Sequence, residues 1–234
     1  MFPVAILAGG LATRLRPITE RIPKALVEVA GRPFIFRQLD YLHGQGVARA
    51  VLCSGYLGDQ IEAAVGDGRA FGLDIRHSMD GPVLLGTGGA LKQALPLLGT
   101  HFFVLYGDAF LPCDFAEVQR AFVRSNRPAL MTLMRNRDRW DKSNVLFREG
   151  EIVEYNKYSR RPGMEYIDYG LSILSAEVFD GYPEAQSFDL AEAYNQLSLD
   201  GKLAGHEVYE RFYEIGSPEG LKEAEAYFLA KETA

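Results

Sequence analysis

Short apolar runs, each too brief for a helix of ordinary length, alternate with helical stripes through the first half of this chain. Val4–Leu7, Ala50–Cys53, His101–Tyr106 and Ala129–Met134 read as buried strands, and Leu73–His77 alternates like one. A strand apolar on both sides has to be covered on both faces, which is the situation of a parallel sheet. Between the runs, Phe34, Ile35, Leu39 and Leu42 share one helical stripe, with Gly44 and Gly46 expected to end it. Asp59 with Glu62, and Asp114 with Glu117, have the spacing of capping boxes and predict helices running to Val65 and toward Ser125. Thr87–Leu97 reads as a further helix opening after glycines. This strand–helix order predicts an α/β fold: a mixed, mainly parallel central sheet with helices on both faces.

The second half changes character. Asn144–Phe147 and Ile152–Tyr155 flank residues 148–151 as a hairpin, and Tyr166–Leu174 is a long strand. Asp189 starts a helix over Leu190–Leu197. Phe212–Ile215 is a short strand, and Ser217 with Pro218 opens a closing helix through Lys231. With 234 residues and no low-complexity linker, the expectation is one domain. Its nucleotide-binding half is residues 1–135, and a smaller α+β half is residues 136–234.

Charge narrows the function classes. There are 25 Lys and Arg against 31 Asp and Glu, a net −6, which argues against coating nucleic acid or an anionic membrane. No run of 18 apolar residues is present, and the apolar N-terminus lacks the basic region of a signal peptide. Cys53 and Cys113 form no CxxC and read as reduced core thiols of a cytoplasmic protein. His43, His77, His101 and His206 lack zinc-ligand spacing.

Four features fall at predicted strand ends, where open parallel sheets bind ligands. Residues 7–17, Leu-Ala-Gly-Gly-Leu-Ala-Thr-Arg-Leu-Arg-Pro, offer glycine backbone to phosphate, with Thr13, Arg14 and Arg16 adding a hydroxyl and charge. This is not a dinucleotide fingerprint, because Arg14 stands where the third glycine belongs. Residues 86–92 are not a Walker A loop, because Leu91 precedes Lys92. Lys24 closes a segment carrying Arg14, Arg16 and Arg21 against Glu20 alone, so an acidic chain concentrates cations in one loop. Asp108 follows a strand and a glycine, a placement suited to Mg²⁺. Glu214 precedes a helix start and is the second candidate metal carboxylate. Taken singly, each has a plainer reading as a turn, a solvated lysine or a helix-entry acid.

Together the motifs resemble those of the sugar-1-phosphate nucleotidyltransferases, in order and over nearly the whole chain. Ala8 to Pro17 followed by Pro23-Lys24 resembles the family signature, and residues 85–90, Leu-Gly-Thr-Gly-Gly-Ala, its nucleobase-side loop. Gly107-Asp108 resembles its metal aspartate, and Glu214-Ile-Gly-Ser-Pro218 its closing Asp-Ile-Gly-Thr-Pro motif. The nearest subgroup is the short bacterial enzymes acting on mannose-, heptose- or N-acetylmuramic acid-type 1-phosphates.

The resemblance implies a Rossmann-like nucleotidyltransferase fold and a Mg²⁺-dependent reaction. The sugar-1-phosphate oxygen attacks the α-phosphate of a nucleoside triphosphate, and pyrophosphate leaves. By match, Arg14, Lys24 and Asp108 are the catalytic residues. Ala8, Gly9, Gly10, Thr13, Arg14, Lys24, Gly86 and Gly88 hold the nucleotide. Asn144, Lys157, Asp168 and Gly170 hold the sugar phosphate, and Asp108 with Glu214 holds the metal. The subgroup favours GTP and a mannose- or heptose-type sugar, for sugar nucleotides of the kind used in cell-surface polysaccharides. UTP, CTP and dTTP stay open, as does a non-catalytic sugar-nucleotide-binding subunit. A homodimer is left open too. The length leaves room for the catalytic unit without the C-terminal β-helix of longer relatives, so no second reaction is expected.

The sequence departs from the family pattern at Glu214 (Asp is usual), Ala12 (Gly), Ala25 (Pro), Asn156 (Glu) and Asp168 (Asn). Tyr155-Asn-Lys-Tyr158 with Arg160 and Arg161 is either a clamp on the sugar or a surface loop.

Overall fold

The computed structural model describes residues 1–232. In chain order the elements begin with β1 (Val4–Leu7), a two-residue pair β2 (Glu28–Val29) and β3 (Arg32–Pro33), α1 (Phe34–Gly44), β4 (Arg49–Ser54) and α2 (Gly58–Val65). Then come β5 (Asp74–Met79), α3 (Gly86–Leu98), β6 (His101–Tyr106), β7 (Ala109–Phe110), α4 (Phe115–Ser125) and β8 (Ala129–Arg135). The chain closes with β9 (Val145–Arg148), β10 (Glu151–Tyr155), β11 (Tyr166–Ser175), α5 (Leu190–Leu199), β12 (Leu203–Glu207), β13 (Tyr213–Glu214) and α6 (Pro218–Glu232).

Nine strands form one sheet. β5, β4, β1 and β6 run parallel side by side. The long β11 then pairs antiparallel with β6, with β8 and, at Tyr166, with β9. β12 lies parallel to β8 at the far edge, and the β9–β10 hairpin attaches beside them. The sheet is mixed and mostly parallel, as the strand runs imply.

Alternation along the strands divides the core. Val4 and Ile6 of β1 face a cluster with Ile35, Leu39 and Leu42 of α1, Ile61 of α2 and Phe115 of α4. Ala5 and Leu7 face the other side, against Leu91 and Ala94 of α3 and Leu190, Tyr194 and Leu197 of α5. Helices therefore cover both faces. A side chain such as Leu39 or Leu91, fully buried, contributes about 1.5–3 kcal/mol. A third apolar cluster joins α6 to the strand ends: Ala224 and Phe228 pack on Val27, Phe34, Phe110 and Ile215.

Three helix starts follow their caps. Asp114 accepts the Glu117 amide, Asp189 accepts the Ala191 amide, and Ser217 Oγ accepts the Gly220 amide. The Asp59–Glu62 box does not form. α2 opens at Gly58 behind a left-handed Leu57, whose side chain has no acceptor to cap it, and Gly58 sits too close to Ser54 and Met79 to carry a Cβ. α1 ends at Gly44 as expected, and the left-handed Gly46 makes the turn that follows. The 212–215 strand shrinks to Tyr213–Glu214, while β12 and the two-residue pairs were not anticipated.

Candidate active site

The carboxyl ends of β1 and β6 frame the site. After β1 the chain runs through Gly9 and Gly10 into three 3₁₀ turns, at Thr13–Leu15, Ile18–Glu20 and Lys24–Leu26. Buried Leu15, Thr19 and Ala25 pin this cationic loop, and Thr19 Oγ1 donates to the Ala12 carbonyl at 2.8 Å. Ala12 itself is left-handed at φ 49°, the conformation that explains why glycine suits this position. A Cβ on Gly9 would lie 2.9 Å from the Gly55 nitrogen, whereas one on Gly10 would meet nothing within 4 Å. Gly9 is thus demanded by the fold, and Gly10 keeps space open beside it.

After β6 the Gly107–Asp108 turn is fastened from below. Buried Gln38 of α1 donates to the carbonyls of Tyr106 (2.9 Å) and Ala109 (2.6 Å). β7 then pairs with β13 so that Glu214 faces Ala109, and the Ile215 amide donates to the Asp108 carbonyl at 2.9 Å. This small pairing brings the two acids together across more than a hundred residues. The α6 cluster supports it, since Ile215, Phe110 and Val27 are chain neighbours of the site.

Charges converge there. Lys24 Nζ donates to Asp108 Oδ2 at 2.7 Å. A Cβ placed on Gly216 would lie 3.0 Å from Arg14 Nη2, 3.5 Å from Glu214 Oε1 and 3.6 Å from Asp108 Oδ2, so three charged groups surround one point. Burial pushes the Glu214 carboxyl above its ordinary value. Repulsion from Asp108 adds to this, and Arg14 and Lys24 oppose it. Two hard-oxygen carboxylates that repel each other, only partly offset by Arg14 and Lys24, suit a small divalent cation. No cluster of three His, Cys, Asp or Glu groups occurs among the described residues, so phosphate oxygens would have to complete such an ion's shell.

Two cavities meet at Asp108 and Tyr106. The smaller, about 270 Å³, is lined by Ala8, Gly9, Gly10, Lys24, Gly86 and Thr87, with Cys53, Asp80 and Leu84. The larger, about 860 Å³, takes in Arg14 and Glu214 with Asn144, Lys157, Asp168 and Gly170. Arg14, Lys24, Lys157, Asp108, Asp168 and Glu214 thus sit around two adjoining spaces, whereas Arg16 and Arg21 line neither. Thr13 and Gly88 line neither. A Cβ on Gly88 would overlap the Phe188 ring, so that glycine serves the packing of α3, and Thr13 is exposed in its 3₁₀ turn.

The larger cavity is organised by backbone capture. Asn144 Oδ1 accepts the Asp168 amide (2.9 Å), and Asp168 Oδ1 accepts the Gly170 amide (2.9 Å) across a glycine at φ 100°. Burial pushes the Asp168 carboxyl up to about 6, against the pull of the Gly170 amide and Lys157. Lys157 Nζ and Tyr158 Oη both donate to Asp189 Oδ2 at 2.8 Å. Of the neighbouring arginines, Arg160 lines the cavity and pairs with Asp138, while Arg161 turns to the buried Glu154.

Several lining residues were not anticipated. Asp80 follows β5 directly, and the strand-end rule applies to it once the strand is extended to Met79. Burial raises its carboxyl while the Leu85 amide holds one oxygen at 3.1 Å. Trp140 lines the larger cavity with Arg211 3.7 Å over its ring, and no local motif marks it. Cys53 and Cys113 are free and buried, and burial pushes both thiols up to about 12.

Comparison with known proteins bears on this geometry. The family model described as nucleotidyl transferase matches residues 4–224. N-acetylmuramate alpha-1-phosphate uridylyltransferase of Neisseria meningitidis serogroup B is 33% identical, over 94% of this chain and 96% of its own. D-glycero-alpha-D-manno-heptose 1-phosphate guanylyltransferase of Campylobacter jejuni is 28% identical, over 92% and 94%. The crystal structure of HddC from Yersinia pseudotuberculosis complexed with GMP-PN superposes with a TM-score of 0.81 at 28% identity, over 97% of this chain and 100% of that one.

Proposed function

The chain belongs to the nucleotidyl transferase family, and on that premise we propose that it transfers a nucleotidyl group from a nucleoside triphosphate to a sugar-1-phosphate. The observation that carries this reading is the meeting of two cavities at Asp108, with Arg14, Lys24 and Glu214 gathered at the junction. The triphosphate occupies the smaller cavity and the sugar phosphate the larger. A sugar-phosphate oxygen forms a bond to the α-phosphorus as the bond to the β-phosphate bridging oxygen breaks, and pyrophosphate leaves with that electron pair.

Such a transfer needs alignment and charge neutralisation more than a protein nucleophile. Arg14 and Lys24 stabilise charge on the phosphates, and Gly10 leaves room for them. Lys157 faces the sugar phosphate, and Asn144, Asp168 and Gly170 the sugar. Mg²⁺ is the cofactor that fits Asp108 and Glu214, where it supplies neutralisation of phosphate charge.

Guanine is the proposed base and a mannose- or heptose-type sugar the acceptor. The smaller cavity holds the Asp80 carboxylate, an acceptor that suits the adjacent N1–H and N2–H donors of guanine. The Campylobacter relative is a guanylyltransferase, and the 33% identical Neisseria relative is a uridylyltransferase. Four triphosphates assayed against mannose-, heptose- and N-acetylmuramic acid 1-phosphates, with pyrophosphate release as readout, decide the matter. GTP with a mannose- or heptose-type acceptor is the expected pair. Turnover confined to UTP would replace guanine, and no turnover with any pair at saturating Mg²⁺ would end the catalytic reading.

A further inference from the structure

We propose that Asp189 is a positioning residue for Lys157, holding that ammonium at the wall of the sugar-phosphate cavity and linking it to the nucleotide side through Thr87. The inference rests on the reading of Lys157 given above. Asp189 lines neither cavity, yet its two oxygens reach a wall of each. Oδ2 accepts from Lys157 Nζ and from Tyr158 Oη, both at 2.8 Å. Oδ1 accepts from Thr87 Oγ1 at 2.9 Å and from the Ala191 amide at 3.0 Å. Thr87 Oγ1 in turn accepts the Leu190 amide at 2.8 Å.

Capping α5 needs only the Ala191 bond. The other three come from Thr87 at the start of α3 and from the 157–158 loop, two segments that face different substrates. An ammonium has three donors, so one bond to Asp189 leaves two for a phosphate. A lysine on a flexible stem loses rotamer freedom when it grips a ligand, and holding it beforehand removes part of that loss. Burial alone would raise the Asp189 carboxyl. Its hydrogen bonds from Lys157, the Ala191 amide and Tyr158 outweigh burial and hold it at about 2, so it stays an anion for Lys157.

Asp189→Asn keeps an acceptor for Thr87 and Ala191 and removes the charge facing Lys157. The expected result is a roughly tenfold rise in KM for the sugar-1-phosphate with the triphosphate KM unchanged, at a melting temperature modestly lowered by loss of the hydrogen-bonded carboxylate. In a Lys157→Ala background the same change adds nothing further. Thr87→Val also raises the sugar-phosphate KM, and Thr87→Ser restores it. Binding is followed by calorimetry alongside turnover, using the sugar-1-phosphate with the highest turnover, or mannose-1-phosphate if none turns over. Asp189-dependent binding without turnover overturns the catalytic reading and keeps the positioning role. An unchanged sugar-phosphate KM and affinity in Asp189→Asn, effects that add to those of Lys157→Ala, or a fall in melting temperature with both KM values moved together would overturn the proposal.

Discussion

Asp108 is held on three sides: its turn by Gln38 through the flanking Tyr106 and Ala109 carbonyls, its own carbonyl by the Ile215 amide, and its carboxylate by Lys24. Asp108→Asn preserves shape and the backbone bonds, so turnover should fall by about 10²–10³ while the melting temperature changes little, as when one preorganised group is lost. Retention of most activity would show that the carboxylate charge is not needed. Asp168 gives a pH signature. Its folded carboxyl is near 6 and an unfolded one near 4. Between those values the native state holds the extra proton, so stability falls as pH rises through the window, and the full penalty is present above it. Asp168→Asn should therefore gain roughly 1–3 kcal/mol over the parent at pH 8, with the gain shrinking toward pH 4, measured by denaturant unfolding. At this scale the sequence was informative where chemistry needs a residue type at a strand end. Gly88 was misplaced because the same residue type serves packing, and Trp140 was invisible because Arg211, which lies over its ring, is far away in the chain.

Helices with a polar cap and strands buried on both sides were legible because their signals are local. α4 starts at the expected Asp114, and β6 occupies the run His101–Tyr106. β12 was not, because Leu203–Glu207 includes Gly205, His206 and Glu207 and is made a strand only by pairing with β8. β7 is two residues, too short for any period, yet its pairing with β13, inside the expected Phe212–Ile215 strand, places Glu214 beside Asp108. The contact of α3 with the segment before α5 yields an element-level prediction. Gly88→Ala drives a methyl into the Phe188 ring, which is stacked on Tyr182 at 4.2 Å. A loss of about 1–3 kcal/mol is expected, with partial recovery on adding Phe188→Leu. A neutral Gly88→Ala in thermal unfolding would mean that this packing is loose.

For the molecule as a whole, both substrates should stabilise the fold by mass action, since only the folded chain builds the cavities. A triphosphate at a hundred times its dissociation constant adds about 2.7 kcal/mol, visible as a raised melting temperature. The accepted base should give the larger shift, and equal shifts for all four would leave base choice to the chemical step. β11 sets a further condition on the pair of ligands. It is hydrogen-bonded to β6 through Leu171–Ser175 and to β8 on its other edge, and Asp168 and Gly170 lie on the same strand. The floor of the smaller cavity and the wall of the larger are consequently stretches of one sheet, fixed relative to each other when the chain folds. With the substrates placed as proposed, the enzyme would act as a gauge with a set gap. It should sort acceptors by the distance from the anomeric phosphate to the far hydroxyls, penalising those that would require the jaws to part.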